Sequence, residues 1–324
     1  MKKIAIFNPE HDLCLANGDP NYIPPQSALD FARQSANLMK YIYGDECLAL
    51  PASEVKGDII GEGDEIVAWG WNTTLVRQLI KQGVPRNLLP DEHSLEAIKM
   101  ISHRRTILHA RQFLYARHPE WPIIAAEELS DVRDVDCFVA KQGSVVLKAP
   151  WSGSGRGLRW VENELTEHDR AWLFKVLRSQ GCVLAEQRVK VVQDFALEYF
   201  ITDHKLHFVG YSLFESQNGV YRSNYLKSDE EIFTFLTKLV TEQSLIEAKH
   251  EIEIWLEIAV AARYEGPLGV DMYVYETAQG FRLNPLSEIN FRHTMGHVAV
   301  ALSQKKSTFA SSKLSYNEIQ QTGK

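Results

Sequence analysis

The sequence lacks the features of a disulfide-rich, zinc-binding or membrane-spanning protein. Its 324 residues contain four cysteines, which are far apart and form neither a CxxC pair nor a cluster with histidine. No apolar run approaches the roughly 20 residues that span a bilayer, and the apolar segment Lys3–Phe7 is too short for the core of a signal peptide. We therefore expect reduced, mostly buried cysteines in a cytoplasmic protein.

Positive charge is also scarce. The chain has 35 basic and 42 acidic residues, which gives a net charge of −7. Such a surface does not attract nucleic acid or anionic lipid nonspecifically, so the sequence predicts neither nucleic acid nor a membrane as a partner. Any site for a phosphate must be a local cluster of basic side chains.

Three familiar phosphate-binding motifs are missing as well. No Gly-Lys-Ser/Thr opens a helix, no GxGxxG lies between a strand and a helix, and no HRD loop of a protein kinase occurs. Instead, a predicted strand ends in Lys148, a glycine-rich loop follows, and a second strand covers Leu158–Val161. Lys148 would neutralise the inner phosphates of a nucleotide, and the loop would cover the outer ones. A tight hairpin with a surface lysine is the simpler alternative. The loop residues are Ser152, Gly153, Ser154, Gly155, Arg156 and Gly157.

Three oxygen-bearing side chains near the end of the chain form a candidate metal site. Glu288 and Asn290 are two residues apart, so on a strand they share one face, and Asp271 lies on the partner strand of a predicted hairpin. This donor set suits magnesium, which takes few protein ligands besides water and phosphate. Arg292 shares the face and could hold a transferring phosphoryl group or a substrate carboxylate. The alternative is the solvated polar face of a sheet.

Short strands and helices alternate over residues 1–92, which predicts a small parallel α/β unit. In this unit the strand Lys3–Phe7 is followed by a polar loop over residues 8–25 and one helix from Ser27 to just before Gly44. Beyond the unit, we predict two hairpins and long helices. One helix begins with Thr166 and Asp169 at capping-box spacing and ends before Gly181.

The order of these motifs resembles that of the ATP-grasp superfamily. In that family a strand ending in lysine precedes a glycine-rich loop, which here is Lys148 with residues 152–157. An acid and a short hinge then hold adenine, a later acid binds the ribose hydroxyls, and an acid followed by Glu-x-Asn-x-Arg binds the metal. The residues that match are Glu186, Gln187 and Val189 for the hinge, Asp194 for the ribose, and Asp271, Glu288, Asn290 and Arg292 for the last motif. The resemblance covers roughly residues 94–302.

The resemblance implies an α/β protein, α+β in its ATP-binding part, with an ATP-grasp fold. The implied domains are an N-terminal parallel α/β pre-ATP-grasp domain at 1–93 and an ATP-grasp domain at 94–324. The latter would divide into a central lid subdomain at 94–190 and a C-terminal subdomain at 191–324. The family usually has an early lysine that reaches the phosphates, and this sequence lacks it. Only arginines are available there, and we predict Arg105 in that role, although a planar guanidinium binds phosphate with a different geometry.

Four further residues are candidates for binding the substrate. His11 and Asp12 follow the first strand, and loops at the carboxyl ends of parallel strands line the binding crevice. Turn and cap chemistry would also explain them. Arg222 and Asn224 lie in a region that faces the phosphates and the acceptor in ATP-grasp enzymes, although Arg222 could equally be a solvated loop charge. Trp69 and Trp71, which follow another strand, could stack on a ring or pack in the core.

The resemblance implies a ligase that uses ATP with Mg²⁺, or Mn²⁺ in its place, to phosphorylate a small-molecule carboxylate. An amine or similar nucleophile would then displace the phosphate. Lys148 and Arg292 are the predicted catalytic residues, because they spread the charge that moves. We expect an anionic carboxylate to enter between the first unit and the last hairpin. A small-molecule kinase on the same fold and a noncatalytic ATP-binding protein are the alternatives. The sequence identifies neither the carboxylate nor the nucleophile. It also leaves the oligomeric state open, with a homodimer among the options.

Overall fold

The computed structural model describes residues 2–153, 157–305 and 313–315, which form three β-sheets with flanking helices. The first sheet is parallel, with the strand order β2-β1-β3, and its central strand is buried from Ile4 to Phe7. Such continuous burial is expected where helices cover both faces of a parallel sheet. The elements are β1 (Lys3–Phe7), α1 (His11–Asn17), α2 (Gln26–Ser35), α3 (Leu38–Tyr43), β2 (Leu48–Pro51), β3 (Glu65–Ala68) and α4 (Thr73–Lys81), with short 3₁₀ helices at Ala52–Glu54, Gly57–Ile59 and Arg86–Leu88.

The second sheet has four antiparallel strands in the order β4-β7-β5-β6. Its own hydrophobic core includes Leu147, Leu173 and Val183. The elements of this part are α5 (Glu92–Ile101), α6 (Arg105–Arg117), β4 (Ala126–Leu129), α7 (Val132–Gln142), β5 (Ser144–Lys148), β6 (Leu158–Glu162), α8 (Glu167–Gln180) and β7 (Val183–Gln187).

The third sheet has six antiparallel strands in the order β12-β11-β8-β9-β10-β13. Helices α6 and α10 pack against it in a core that contains Leu114, Tyr199 and Leu256. The elements are β8 (Lys190–Thr202), β9 (Lys205–Gln217), β10 (Val220–Tyr225), α9 (Asp229–Leu236), α10 (Glu242–Ala259), β11 (Gly266–Thr277), β12 (Gly280–Asn290), α11 (Met295–Gln304) and β13 (Lys313–Ser315).

The first and third sheets share a hydrophobic core. Phe7 and Trp69, at the ends of β1 and β3, pack in one cluster with Val298 of α11. The backbone N–H of His293 donates to the carbonyl oxygen of Trp69 at 2.8 Å. This contact brings the loops after β1 and β3 to the edge of the six-stranded sheet. The predicted domain boundaries stay a prediction, because this core joins residues from both ends of the chain.

Two predictions about the first unit are wrong. Residues 8–25 are not one loop, because α1 forms within them. Its buried residues His11, Cys14 and Leu15 have helical spacing, and Gly18 ends it in the left-handed conformation with φ of 74°. The single helix predicted after Ser27 is two helices, α2 and α3. The four free cysteines agree with the prediction, since Cys137 is exposed and the other three are buried. Within the described ranges, no helix is both long and apolar enough to cross a membrane.

The predicted capping box of α8 is present, and it can be tested. The Oγ1 of Thr166 accepts from the backbone N–H of Asp169, whose carboxylate accepts from the backbone N–H of Thr166 at 3.1 Å. We expect Thr166→Ala to lower the free energy of unfolding by roughly 1 kcal/mol, because an N–H of the first turn loses its partner. Chemical denaturation measures the change. The control is Ser179→Ala near the end of the same helix, where the hydroxyl contacts only carbonyls of the preceding turn. Equal effects of the two substitutions would contradict the assignment.

Candidate active site

A large cleft separates the four-stranded sheet from the six-stranded sheet. We call this cavity of about 810 Å³ the outer cleft. It brings together side chains from β5, β7, β8, β11 and β12 that are far apart in sequence. The predicted site residues on its wall are Lys148, Glu186, Gln187, Val189, Asp194, Asp271 and Glu288.

Lys148 is held in the outer cleft by a buried network of charges. Its Nζ donates to Glu186 Oε1 at 2.9 Å, and Arg111 Nη2 lies 2.7 Å from Glu186 Oε2. All three side chains are buried. Burial by itself would raise the pKa of Glu186, but Arg111 and Lys148 outweigh burial and hold that pKa below its ordinary value.

Arg111 is a functional candidate that the sequence analysis missed. Its Nε donates to the carbonyl oxygen of Leu286 at 2.9 Å, so one guanidinium joins β7 of one sheet to β12 of the other. A sequence signal exists, because Arg111 interrupts the buried stripe of α6 that includes Ile107 and Leu114. An arginine in such a stripe needs a buried partner.

The structure places Arg105, the predicted early phosphate-binding residue, at the surface. Arg105 is half exposed and forms an ion pair with Glu128 at 2.7 Å. Arg104, one residue earlier, is buried instead, and its Nη2 donates to Glu288 Oε1 at 2.6 Å. Sequence spacing could not separate two adjacent arginines, because the turn before α6 decides which of them reaches Glu288.

Ser152 and Gly153, at the start of the glycine-rich loop, lie against Arg104 and the first unit. Ser152 accepts from Arg104 through its Oγ at 2.6 Å and through its carbonyl oxygen at 3.1 Å. A Cβ on Gly153 would lie 2.0 Å from Asp12 Oδ2, and one on Gly157 would lie 2.1 Å from Ser152 Oγ. Glycine is therefore required for these close approaches. The remaining predicted loop residues, Ser154, Gly155 and Arg156, lie outside the described residues.

The predicted metal-binding side chains lie together on adjacent strands. Asp271 and Glu288 are register partners in the β11–β12 pair, and Asn290 Nδ2 donates to Asp271 Oδ2 at 3.1 Å. Burial and the nearby carboxylates of Glu288 and Glu198 raise the pKa of Asp271 well above its usual range. Among the described residues, no three His, Cys, Asp or Glu side chains form a metal cluster. Two carboxylates and an amide oxygen nevertheless suit magnesium, which needs few protein ligands.

Arg292 links this group to the first unit. Its Nη2 lies 2.9 Å from Asp12 Oδ2 and also donates to Asn290 Oδ1 at 2.9 Å. Asp12 is therefore brought to the site from α1, and its role in substrate binding stays a prediction. His11 is not brought there, because it packs inside the first unit against Gly70, where it contacts Asn72 Nδ2 through Nδ1 at 3.1 Å. Burial lowers the pKa of His11 to about 4, so the imidazole is neutral near pH 7.

A smaller cavity of about 160 Å³, which we call the inner cavity, adjoins the outer cleft. The two cavities share Phe214, Ser216, Gly219, Asp271 and Glu288. Asn224 lies on the wall of the inner cavity and accepts from Tyr221 Oη at 2.7 Å. Arg222 lies on the exposed β9–β10 hairpin, where it donates to Gln217 Oε1 at 2.7 Å, so the solvated-charge interpretation describes its position.

Two solved structures share this fold over almost the whole chain. One is N5-carboxyaminoimidazole synthetase from Staphylococcus aureus complexed with ADP, which is 14% identical, covers 97% of this chain and 80% of that chain, and has a TM-score of 0.50. The other is carboxyaminoimidazole ribonucleotide synthase from Aspergillus clavatus complexed with ATP, which is also 14% identical, covers 96% and 79%, and has a TM-score of 0.50. No protein-family model and no curated protein sequence matches the chain.

The chain therefore has the ATP-grasp fold, an α+β arrangement, as the sequence motifs predicted. At this level of identity the likeness establishes the fold, while the reaction must be argued from the side chains of the site.

The buried network around Glu186 predicts that the stability of the fold depends on pH. The pKa of Glu186 is depressed in the folded state. The stabilisation that its charge provides is therefore present above the ordinary pKa of about 4.5 and is lost as the pH falls through the folded pKa. We expect Glu186→Gln to lower the free energy of unfolding by roughly 3–5 kcal/mol at pH 7, because it removes the charge that pairs with the buried side chains of Arg111 and Lys148. The cost should shrink below about pH 4.5 in denaturation series.

The matched control is Glu127→Gln, one strand away on an exposed position of β4. We expect this variant to follow the wild type at every pH. A cost of Glu186→Gln that stays constant from pH 7 to pH 3 would show that the charge of Glu186 does not stabilise the fold.

Proposed function

We propose that this protein is an ATP- and magnesium-dependent ligase that activates a small-molecule carboxylate as an acylphosphate for attack by an amine or similar nucleophile. The observation that carries the proposal is the convergence of two groups where the outer cleft meets the inner cavity. One group is cationic, with Arg104 and Arg292, and the other is the oxygen donor set of Asp271, Glu288 and Asn290. Phosphoryl transfer requires both kinds of group in one place.

The outer cleft has the size and wall chemistry for ATP. Its volume of about 810 Å³ is in the range of small-molecule sites. We assign the adenine end to Gln187 and Val189. The ribose end falls to Asp194, whose Oδ2 accepts from Ser216 Oγ at 2.6 Å. Lys148 and Arg104 would contact the phosphates, with the glycine-rich loop above them.

Asp271, Glu288 and Asn290 would hold Mg²⁺, or Mn²⁺ in its place, and the bound ion would supply positive charge to the phosphates. Without such an ion, two carboxylates face each other across adjacent strands. The residues present therefore fit the metal that the fold family implies.

The reaction has two balanced steps. An oxygen of the substrate carboxylate attacks the γ-phosphorus, the bond from that phosphorus to the β,γ-bridging oxygen breaks, and ADP leaves. The nucleophile then attacks the carbonyl carbon, the bond from that carbon to the phosphate oxygen breaks, and phosphate leaves while the amine loses a proton. Arg104, Arg292 and Lys148 neutralise two anions that would otherwise repel each other. We propose that residues 1–93 close the substrate end, 94–190 cover the nucleotide, and 191–324 carry the metal.

Trapping the acylphosphate tests this proposal. A pool of amino acids and peptides would be incubated with ATP, Mg²⁺ and hydroxylamine, which replaces the natural nucleophile. We expect ADP, phosphate and a hydroxamate in equal amounts. Glu288→Gln should lower the rate by roughly 10²–10³-fold, the range for loss of one key electrostatic group in a transition state. Its fold should persist, because the side chain is partly exposed and keeps its shape.

ADP accompanied by a stable phosphorylated hydroxyl, with no free phosphate, would replace the ligase by the kinase alternative. ATP binding without turnover of any pool component would favour the noncatalytic alternative. Near wild-type activity of Glu288→Gln would contradict the metal assignment.

The two adjacent arginines give a matched pair for the phosphate site. We expect Arg104→Ala to weaken ADP binding by about 10- to 150-fold, the equivalent of ~1.5–3 kcal/mol for a charge-assisted hydrogen bond. Arg105→Ala should change the affinity by less than about twofold, because an exposed ion pair contributes little. Calorimetry with ADP and Mg²⁺ measures both. If Arg105→Ala weakened ADP binding more than Arg104→Ala, Arg105 would be the phosphate-binding residue, as the sequence predicts.

A further inference from the structure

The charged side chains on the wall of the inner cavity are mainly acidic, which is unexpected for a site that receives a carboxylate. Among the described residues of its wall, four carry carboxylates and one carries a guanidinium. That guanidinium, of Arg292, is already paired with Asp12 at 2.9 Å. If a divalent ion neutralised Asp271 and Glu288, the charge of Glu198 would still face the cavity.

Glu198 is fixed in place rather than free to turn away. Its side chain is buried, with Oε1 accepting from Ser212 Oγ at 2.9 Å and Oε2 accepting from Thr294 Oγ1 at 2.8 Å. His297 Nδ1 lies 3.0 Å from Oε2 on the side of α11. A Cβ on Gly296 would lie 1.8 Å from Oε1, so the backbone of α11 packs directly against one side of the carboxylate.

The other part of the wall is aromatic. Phe7, Phe31 and Trp69 come from the first unit, and Phe214 and Tyr221 come from the six-stranded sheet. Phe7 makes edge contacts with Phe31 and Trp69, with ring centroids 5.7 and 4.9 Å apart. Aromatic rings attract an ammonium group through their electron-rich faces and also cover an apolar group. A volume of about 160 Å³ suits a body of the size of one six-membered ring.

We infer that the inner cavity binds the nucleophile of the reaction, as an organic ammonium ion carried on a small apolar or aromatic body. This inference rests on the proposed ligase function and names the substrate class of its second site. The carboxylates and the aromatic rings are independent features, and both favour a cation over an anion. The activated carboxylate then belongs at the junction with the outer cleft, where Arg104 contacts Glu288, and not inside the cavity.

The arrangement also orders the two substrates in space. The inner cavity opens to the outer cleft at Asp271 and Glu288, where the acylphosphate would form. An amine in the cavity therefore faces the carbonyl carbon from the side opposite the nucleotide. An ammonium ion that approaches the acylphosphate must lose its proton before it attacks.

Three probes of one size and different charge test the inference. Benzylamine is a cation at pH 7, benzyl alcohol is its neutral counterpart, and benzoate is an anion. Calorimetry on the protein with ADP and Mg²⁺ should give benzylamine an affinity at least about tenfold higher than that of benzoate, with benzyl alcohol between them. Benzoate binding as tightly as benzylamine, or saturable binding by none of the three, would overturn the inference.

Two variants separate the contributions of charge and ring. Glu198→Gln keeps the shape of the side chain and should reduce the preference for benzylamine over benzoate by about tenfold. Phe31→Leu keeps an apolar side chain. It should lower the affinity for benzylamine by about two- to thirty-fold, the loss expected for one cation–aromatic contact. Phe174→Leu, at an exposed position of α8, is the control. Unchanged benzylamine affinity in Phe31→Leu would contradict the aromatic part even if Glu198→Gln failed to fold.

The outcomes are distinguishable from those for the proposed function. Hydroxamate formation together with a preference for benzoate would retain the ligase and refute the ammonium site. A preference for benzylamine without hydroxamate formation would retain the site and refute the ligase.

Discussion

The arrangement of the site depends on one electrostatic constraint, the close approach of carboxylates where the three sheets meet. Asp271 and Glu288 face each other across adjacent strands, and burial raises the pKa of Asp271 well above its usual range. Nearby cations favour the ionised form of such a group. Arg104 and Arg292 supply that charge, one from the turn before α6 and one from the end of β12. Because each arginine also contacts another part of the chain, the same charges hold Ser152 and Asp12 against the site.

The sequence predicted those parts of the site that depend on local periodicity. The face shared by Glu288 and Asn290 follows from the two-residue repeat of a strand, and the position of Lys148 follows from a buried run that ends at a glycine-rich loop. The choice between Arg104 and Arg105 depended on a turn of the backbone, which has no periodic signal. His11 was placed in a loop because Asn, Pro and Asp favour turns, but the apolar spacing of the next residues favours a helix and buries the imidazole.

The features that the sequence analysis missed come from contacts between distant segments. Arg111 is 75 positions before Glu186 and 175 before Leu286, and its role is visible only when both strands are in place. The inner cavity likewise combines side chains of the first sheet with side chains of β8, β9 and α11. A motif can report the chemistry of one segment. It cannot report a wall that many distant segments build, or the net charge of that wall.

Under the proposed function, substrate recognition is divided between parts of the chain with different constraints. The outer cleft would have to accommodate several phosphates, and its charged groups are fixed by buried pairs such as that between Lys148 and Glu186. The inner cavity has no such requirement, since no phosphate needs to enter it. Its wall can therefore be acidic and aromatic while the adjoining cleft provides cations, and the boundary between the two lies at Asp271 and Glu288. Opposite charges on the two sides of that boundary would keep an anion and a cation apart until their reactive atoms meet, which a uniformly basic site could not achieve.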